Sequence, residues 1–261
     1  MKVSRDSRKT ISQARISLDR VNVSFPVYQG GSRSVKKAFL SLSSAGRIAR
    51  DAHDRITVDA LRDVTLSLGN GDRLAVIGAN GAGKTTLLRV MAGIYEPVAG
   101  AVDIRGHISP LLDIGVGLDM DLSGYDNIRV RGALLGQSPR EVENHLPEIA
   151  EFTELGEYLN MPMRTYSSGM ILRLTFAVAT CFEPEILLMD EWISAGDAHF
   201  MERAQRRIET FVGKASVLVL ASHNLEICRR WCKTAIWMAG GRIRASGPVE
   251  DIIRTYQTAV A

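Results

Sequence analysis

Long apolar runs are missing from this sequence, since none approaches the roughly 18 residues that a membrane-spanning helix needs. The first ten residues, MKVSRDSRKT, also lack the apolar core of a signal peptide. We therefore expect a chain without a membrane span of its own that stays in the cytosol.

Cysteine is scarce, with three residues in a chain of 261, and the three lack the spacing of a metal site. Cys228 and Cys232 are four residues apart, and without a third ligand nearby they are interpreted as buried thiols. A large excess of one charge is also missing. The formal net charge of +3 is too small to indicate nucleic-acid binding by itself.

The composition is that of an ordinary globular protein, with 46% hydrophobic and 23% charged residues. Its length suits one large domain or two small ones, at roughly 150 residues per domain. Either arrangement buries a sizeable core. The composition therefore argues against a disordered chain.

One stretch, Arg73 to Ala92, reads as a short apolar strand, a glycine-rich loop and a helix. Its loop fits the phosphate-binding pattern G-x-x-x-x-G-K-[ST], in which backbone N–H groups and a helix N-terminus face an anion. We expect Lys84 to reach the β- and γ-phosphates and the Thr85 hydroxyl to hold Mg²⁺. The strand–loop–helix context disfavours the alternative, a turn that binds nothing. The predicted ATP-binding loop comprises Gly78, Ala79, Asn80, Gly81, Ala82, Gly83, Lys84, Thr85 and Thr86.

A second stretch, Pro184 to Glu191, is an apolar strand that ends in two carboxylates. Sheets of α/β proteins keep their sites at the carboxyl ends of strands. Asp190 is therefore predicted to orient Mg²⁺, and Glu191 to activate the attacking water as general base. His223 follows a further buried strand, Val217 to Ala221, and is predicted to contact the γ-phosphate, although a core or capping histidine is the alternative.

The chain before the loop is less regular. Residues 1–15 are basic and predicted to form a mobile tail, and alternation from Ile16 to Phe25 predicts a strand. Phe25 at its end either stacks on the nucleotide base or belongs to the core. The basic segment Gln29–Arg55 has the pattern of an amphipathic helix, and is either a solvated insertion or a contact with a membrane protein or anionic headgroups.

Between these stretches, a motif opens an almost wholly apolar helix; it consists of Tyr166, Ser167, Ser168, Gly169 and Met170. The phosphate loop, this motif, Asp190-Glu191 and His223 follow one another along the chain in the order expected of the ATP-binding-cassette ATPases. The chain resembles these ATPases over nearly its entire length. The resemblance implies a head-to-tail homodimer, in which this signature motif closes on the ATP of the partner copy. Asp197 would lie at that interface and couple the two sites.

Two departures narrow the resemblance. The signature reads YSSGM, which differs from the usual signature of these ATPases. The segment PLLDIGVG lacks the glutamine that these ATPases normally place at Mg²⁺, so Asp113 is the nearest polar candidate for that role. With these two departures and the segments GIYEPVAG, LSGYDNI and DEWISAGDAHF, the chain resembles the nucleotide-binding subunits of bacterial polysaccharide exporters of the O-antigen, capsule and teichoic acid type. The alternatives are a transporter ATPase for another substrate, or a soluble cassette ATPase that acts without a permease.

The resemblance implies a pump at the cytoplasmic side of the bacterial inner membrane. Two copies of this chain would pair with two copies of a separate transmembrane permease and export a lipid-linked glycan, with no nucleic acid involved. The expected fold is α/β: a P-loop ATPase core with a mixed sheet, an N-terminal antiparallel β part and an inserted helical subdomain. Its expected divisions are a single domain over 16–261, a basic insertion over 29–57 and a helical subdomain over about 118–182, with no carbohydrate-binding domain after Ala261.

Overall fold

The computed structural model describes residues 13–26, 47–50, 56–112, 115, 117–190 and 198–260. The expected tail therefore lies almost wholly outside the described residues. The strands are β1 (Arg15–Pro26), β2 (Arg47–Arg50), β3 (Ile56–Leu68), β4 (Arg73–Ile77), β5 (Ala99–Arg105), β6 (Ile108–Leu111), β7 (Ile186–Asp190), β8 (Val217–Ala221), β9 (Thr234–Ala239) and β10 (Arg242–Pro248). The α-helices are α1 (Lys84–Met91), α2 (Gly124–Leu134), α3 (Pro139–Thr153), α4 (Ser168–Ala179), α5 (Ala198–Lys214), α6 (Leu225–Trp231) and α7 (Val249–Val260).

The N-terminal antiparallel part is a sheet in the order β2-β3-β1-β5. Alternate residues of β1, such as Ile16 and Leu18, are buried because only one face of the strand meets the core. The alternation then shifts between Leu18 and Val21, where Arg20 has a φ of 46°. This irregularity keeps Val21 and Val23 on the buried side.

The prediction of a helix in the basic insertion is wrong for the part that the structure describes. Arg47–Arg50 is strand β2, and it pairs antiparallel with Ile56–Asp59 at the start of β3. The edge of β3 supplies backbone partners that the periodicity of Gln29–Arg55 did not reveal. The remaining insertion residues up to Arg55 lie outside the described part.

A second sheet, in the order β10-β9-β4-β8-β7-β6, forms the centre of the molecule. Its strands run parallel except for β10, which closes an antiparallel hairpin with β9. Helices cover both faces, so successive residues of β4 face different sides: Leu74 and Val76 pack in the cluster that contains α1, and Ala75 and Ile77 in the cluster that contains α5 and α7.

The helices α2, α3 and α4, with 3₁₀ turns at Gly156–Asn160 and Met163–Thr165, share a separate hydrophobic cluster. Its buried members include Ile128 of α2, Val142 of α3 and Leu174 of α4. Ser138 begins α3 with a reciprocal capping box, because its hydroxyl accepts from the Glu141 N–H while the Glu141 carboxylate accepts from the Ser138 N–H. This cluster carries the signature motif.

All three cysteines are free thiols and buried, which confirms the interpretation of Cys228 and Cys232. Burial raises the pKa of Cys228 to about 11 and that of Cys232 to about 12, so both stay protonated at neutral pH. In the described part of the chain, no helix is both long enough and apolar enough to cross a bilayer.

Candidate nucleotide-binding site

The loop between β4 and α1 is built so closely that two of its glycines admit no side chain. Gly78 has a φ of +149°, and a Cβ there would lie 2.3 Å from the Met238 carbonyl oxygen. Gly83 has a φ of +105°, and its Cβ would lie 2.7 Å from the Ala60 carbonyl oxygen. The loop is therefore fixed against the backbones of β9 and β3 in a conformation that only glycine adopts without strain.

Lys84 extends its ammonium group back across this loop. Its side chain is 7% exposed, and Nζ donates to the carbonyl oxygens of Gly78 at 2.8 Å and Ala79 at 3.1 Å. The Nε2 atom of His223 lies 3.3 Å from the same Nζ. A positive charge is thus held inside the curl of the loop, where an anion would be bound.

Helix α1 adds a second source of positive potential. It begins at Lys84 with Gly83 as N-cap, and among the described residues no side chain caps it. The Leu87 N–H donates to the Gly83 carbonyl oxygen, so the N–H groups of Lys84, Thr85 and Thr86 lie in the first turn, before the intrahelical bonds begin. The glycine cradle, the ammonium and the helix end together fit a triphosphate. The partly buried Thr85 is in the first turn, within the same group.

The register of the sheet brings Asp190 and His223 to the sheet edge where the phosphate loop lies. Val76 pairs with Ala221, and Ala221 pairs with Asp190, so β4, β8 and β7 end level with one another. Because the three strands are parallel, Asp190, the turn at His223 and the loop after Ile77 emerge on the same side. The sequence-predicted Lys84, Asp190 and His223 are therefore brought together.

His223 lies on a tight turn between β8 and α6. The preceding Ser222 is buried, and its hydroxyl accepts from the N–H of Asn224, whose own side chain caps α6. His223 itself is exposed. The interpretation as a buried core histidine is therefore excluded, and the imidazole lies next to the Lys84 ammonium group.

Three predicted site residues, Asp113, Glu191 and Asp197, lie outside the described residues. Their roles stay predictions.

The signature motif begins helix α4. The Ser167 hydroxyl caps the helix by accepting from the Met170 N–H at 3.3 Å, and Ser168 and Gly169 are exposed in the first turn. Tyr166 is 8% exposed, and its hydroxyl donates to the Tyr158 carbonyl oxygen at 2.6 Å. Tyr166 thus anchors the motif in the helical cluster, while the helix N-terminus faces solvent.

Phe25 is 37% exposed at the end of β1, and its ring meets the Tyr95 ring edge-on with the centroids 5.1 Å apart. The Tyr95 hydroxyl in turn accepts from Arg89 of α1 at 3.1 Å. Sequence reasoning missed Tyr95 and Arg89. The only available signal was an aromatic residue shortly after the phosphate-loop helix, and that signal does not specify its partner.

Comparisons with known proteins agree with this geometry. A family model described as ABC transporter matches residues 61–194. The O-antigen export system ATP-binding protein RfbE of Yersinia enterocolitica is 42% identical over 223 residues, which are 85% of this chain and 93% of that protein. The teichoic acids export ATP-binding protein TagH of Listeria monocytogenes is 34% identical over 242 residues, 93% of this chain and 69% of that protein.

Solved structures share the fold. One described as the ATP binding subunit of an ABC transporter has a TM-score of 0.66 at 23% identity, covering 94% of this chain and 95% of that chain. A dimeric ATP-binding cassette in a post-hydrolysis state, bound to ADP and Pi, has a TM-score of 0.63 at 18% identity, covering 90% and 98%.

Proposed function

The chain belongs to the ABC transporter family, and from that premise we propose that it is the ATP-hydrolysing subunit of a pump that exports a lipid-linked polysaccharide. The observation that carries the proposal is the 42% identity to an O-antigen export ATP-binding protein over 93% of that protein. The phosphate loop with its buried Lys84 supplies the ATP site that such a subunit requires.

In the proposed mechanism, the loop and Lys84 hold the triphosphate of the substrate ATP. Thr85 and Asp190 would hold Mg²⁺, with Asp113 as a further candidate, and the ion would neutralise charge on the phosphates. Glu191 accepts the proton of the attacking water, and His223 contacts the γ-phosphate. The position of His223 beside Lys84, and of Asp190 at the same sheet edge, supports these roles.

Two copies would bind ATP between them. Ser167, Ser168 and Gly169 of one copy would offer the N-terminus of α4 to the triphosphate held by the loop of the other, and Asp197 would couple the two sites. The first turn of α4 is exposed, and Tyr166 anchors it to the helical cluster, which supports the arrangement. Loss of the γ-phosphate removes part of the shared charge, so the copies would separate after hydrolysis.

Two copies of a separate permease would provide the path for the glycan, at the cytoplasmic face of the bacterial inner membrane. RfbE and TagH are named for the export of O-antigen and teichoic acids, which supports a glycan as cargo. We further propose that about 118–182 acts as one helical subdomain, because α2, α3 and α4 share a core of their own. The 29–57 insertion would add a contact to the permease or to the headgroups.

The test replaces the chain in its source cell with the Glu191→Gln form and analyses the lipid-linked glycans inside. Turnover should stop with ATP still bound, and a carrier-linked polymer should accumulate on the cytoplasmic side. Glu183→Gln is the matched control, because Glu183 is exposed and pairs with Lys214, and it should export normally. A dead ATPase without glycan accumulation would contradict the proposed cargo and favour a different substrate.

A further inference from the structure

A second group of metal-ligating side chains lies in the helical part of the chain. His145 and Glu148 are three residues apart on α3, and Cys181 follows the end of α4. One donor atom from each of these three residues lies within 4.8 Å of the other two. Imidazole nitrogen, carboxylate oxygen and thiolate sulfur are the donors that Zn²⁺ takes in proteins.

The two distances to the Glu148 carboxylate are close to those of a tetrahedral zinc site. His145 Nδ1 is 3.2 Å and Cys181 Sγ is 3.9 Å from the same atom, Glu148 Oε2. Tetrahedral zinc with bonds of about 2.0–2.3 Å places nitrogen about 3.3 Å and sulfur about 3.5 Å from a ligating oxygen. A movement of the Cys181 sulfur by a few tenths of an ångström toward Glu148 Oε2 would therefore give the sulfur–oxygen distance of a zinc site.

Outer-shell contacts already orient two of the three side chains. Arg207 of α5 pairs with the other carboxylate oxygen, Glu148 Oε1, at 2.8 Å, which leaves Oε2 turned toward His145 and Cys181. The Phe182 ring meets the His145 ring edge-on, with centroids 5.1 Å apart. Such contacts fix ligand orientation in known metal sites.

The group also has access and a place for a fourth ligand. Its three side chains line a cavity of about 610 Å³ between α3, the end of α4 and α5. Cys181 is 9% exposed, whereas His145 is partly exposed and Glu148 is exposed. An ion could therefore enter from the open side, bind the buried sulfur and keep a water molecule on the cavity side.

We propose that His145, Glu148 and Cys181 form a Zn²⁺ site, separate from the Mg²⁺ expected beside ATP. The ion would connect α3 to the segment that leads from α4 into β7. The spacing of the cysteines did not predict this site, because the ligands come from a helix face and a residue 33 positions further along the chain, and only packing brings them together.

The test titrates the metal-free, untagged full chain with Zn²⁺ in the absence of nucleotide, against a chromophoric chelator. Wild type should bind one ion, and Cys181→Ser and His145→Gln should each lower the affinity by at least about 100-fold, beyond the roughly 10–100-fold of outer-shell changes. Cys228→Ser is the matched buried-thiol control and should bind as wild type does.

Co²⁺ provides a spectroscopic readout. The wild-type protein should show a thiolate-to-cobalt charge-transfer band that disappears in Cys181→Ser and persists in Cys228→Ser. His145→Gln changes a partly exposed side chain, so it keeps the test valid even if Cys181→Ser does not fold. Wild-type affinity in the folded Cys181→Ser or in the His145→Gln variant, or no stoichiometric Zn²⁺ in the wild type, would overturn the proposal.

Discussion

At the scale of single residues, the phosphate loop depends on the absence of side chains as much as on the presence of Lys84. Gly78 and Gly83 each approach a backbone carbonyl of a neighbouring strand, and a carbonyl cannot move aside as a flexible side chain could. The loop is thus held in place by the backbones of the neighbouring strands.

Gly83→Ala should therefore destabilise the protein by about 2 kcal/mol or more and abolish ATP binding, because the new Cβ meets Ala60 O at 2.7 Å in a left-handed conformation. Gly213→Ala is the control. Gly213 is in helix α5 with nothing within 4 Å of its Cβ position, so alanine should leave ATP binding intact and stabilise by up to about 1 kcal/mol. Urea unfolding and nucleotide titration measure both. Equal stability of the two variants would contradict the close packing of the loop.

The sequence was sufficient to predict Lys84, Asp190 and His223 as neighbours, because the phosphate-loop pattern and two buried strands fix which ends of a parallel sheet meet. It was insufficient for the contact of Tyr95 with Phe25 and for the anchoring of Tyr166 on Tyr158. Those contacts depend on how separate elements pack, which leaves no periodic signal.

At the scale of elements, alternation predicted β1, and buried apolar runs predicted β4, β7 and β8. Strand β2 was not predicted, because the four residues Arg47–Arg50 are too short a stretch to show alternation and are held by backbone pairing with β3. In the structure, a serine precedes each of the helices α2, α3 and α4, and its hydroxyl accepts a hydrogen bond from an N–H of the first turn.

Substitution of two of these capping serines distinguishes an effect on stability from an effect on ATP hydrolysis. Ser138→Ala and Ser167→Ala each remove a capping hydrogen bond, so each should destabilise the protein by about 1 kcal/mol. Only Ser167 belongs to the signature motif. Ser167→Ala should therefore also lower ATP hydrolysis at concentrations where the dimer forms, whereas Ser138→Ala should leave it unchanged.

Ser168→Ala completes this comparison. Ser168 is exposed and does not cap α4, so its substitution should change stability by less than about 0.5 kcal/mol while still lowering ATP hydrolysis. Chemical unfolding and ATPase rates measured as a function of protein concentration test all three variants. Full activity of both signature variants would argue against contact between this motif and the partner's ATP.

At the scale of the whole molecule, the proposed permease would need a surface on this chain, and α2 exposes two apolar side chains. Val130 is 39% exposed and Leu134 is 68% exposed, and at a spacing of four residues they share a helix face. The turn at Gly117 lies against Leu134, since a Cβ there would be 2.7 Å from Leu134 Cδ1. We propose that this apolar face of α2 contacts the permease.

Leu134→Glu should therefore weaken co-purification with the permease and reduce glycan export, because a charge would be buried in the contact. Its ATP binding and folding should stay near wild type, since the side chain is exposed. Val98→Glu is the matched control, as Val98 is 65% exposed and lies in the turn before β5, outside α2. Pull-down from detergent-solubilised membranes, with ATP binding measured in parallel, distinguishes the two. If both glutamate variants retain the permease equally, the contact lies elsewhere on the chain, with the basic insertion as the next surface to test.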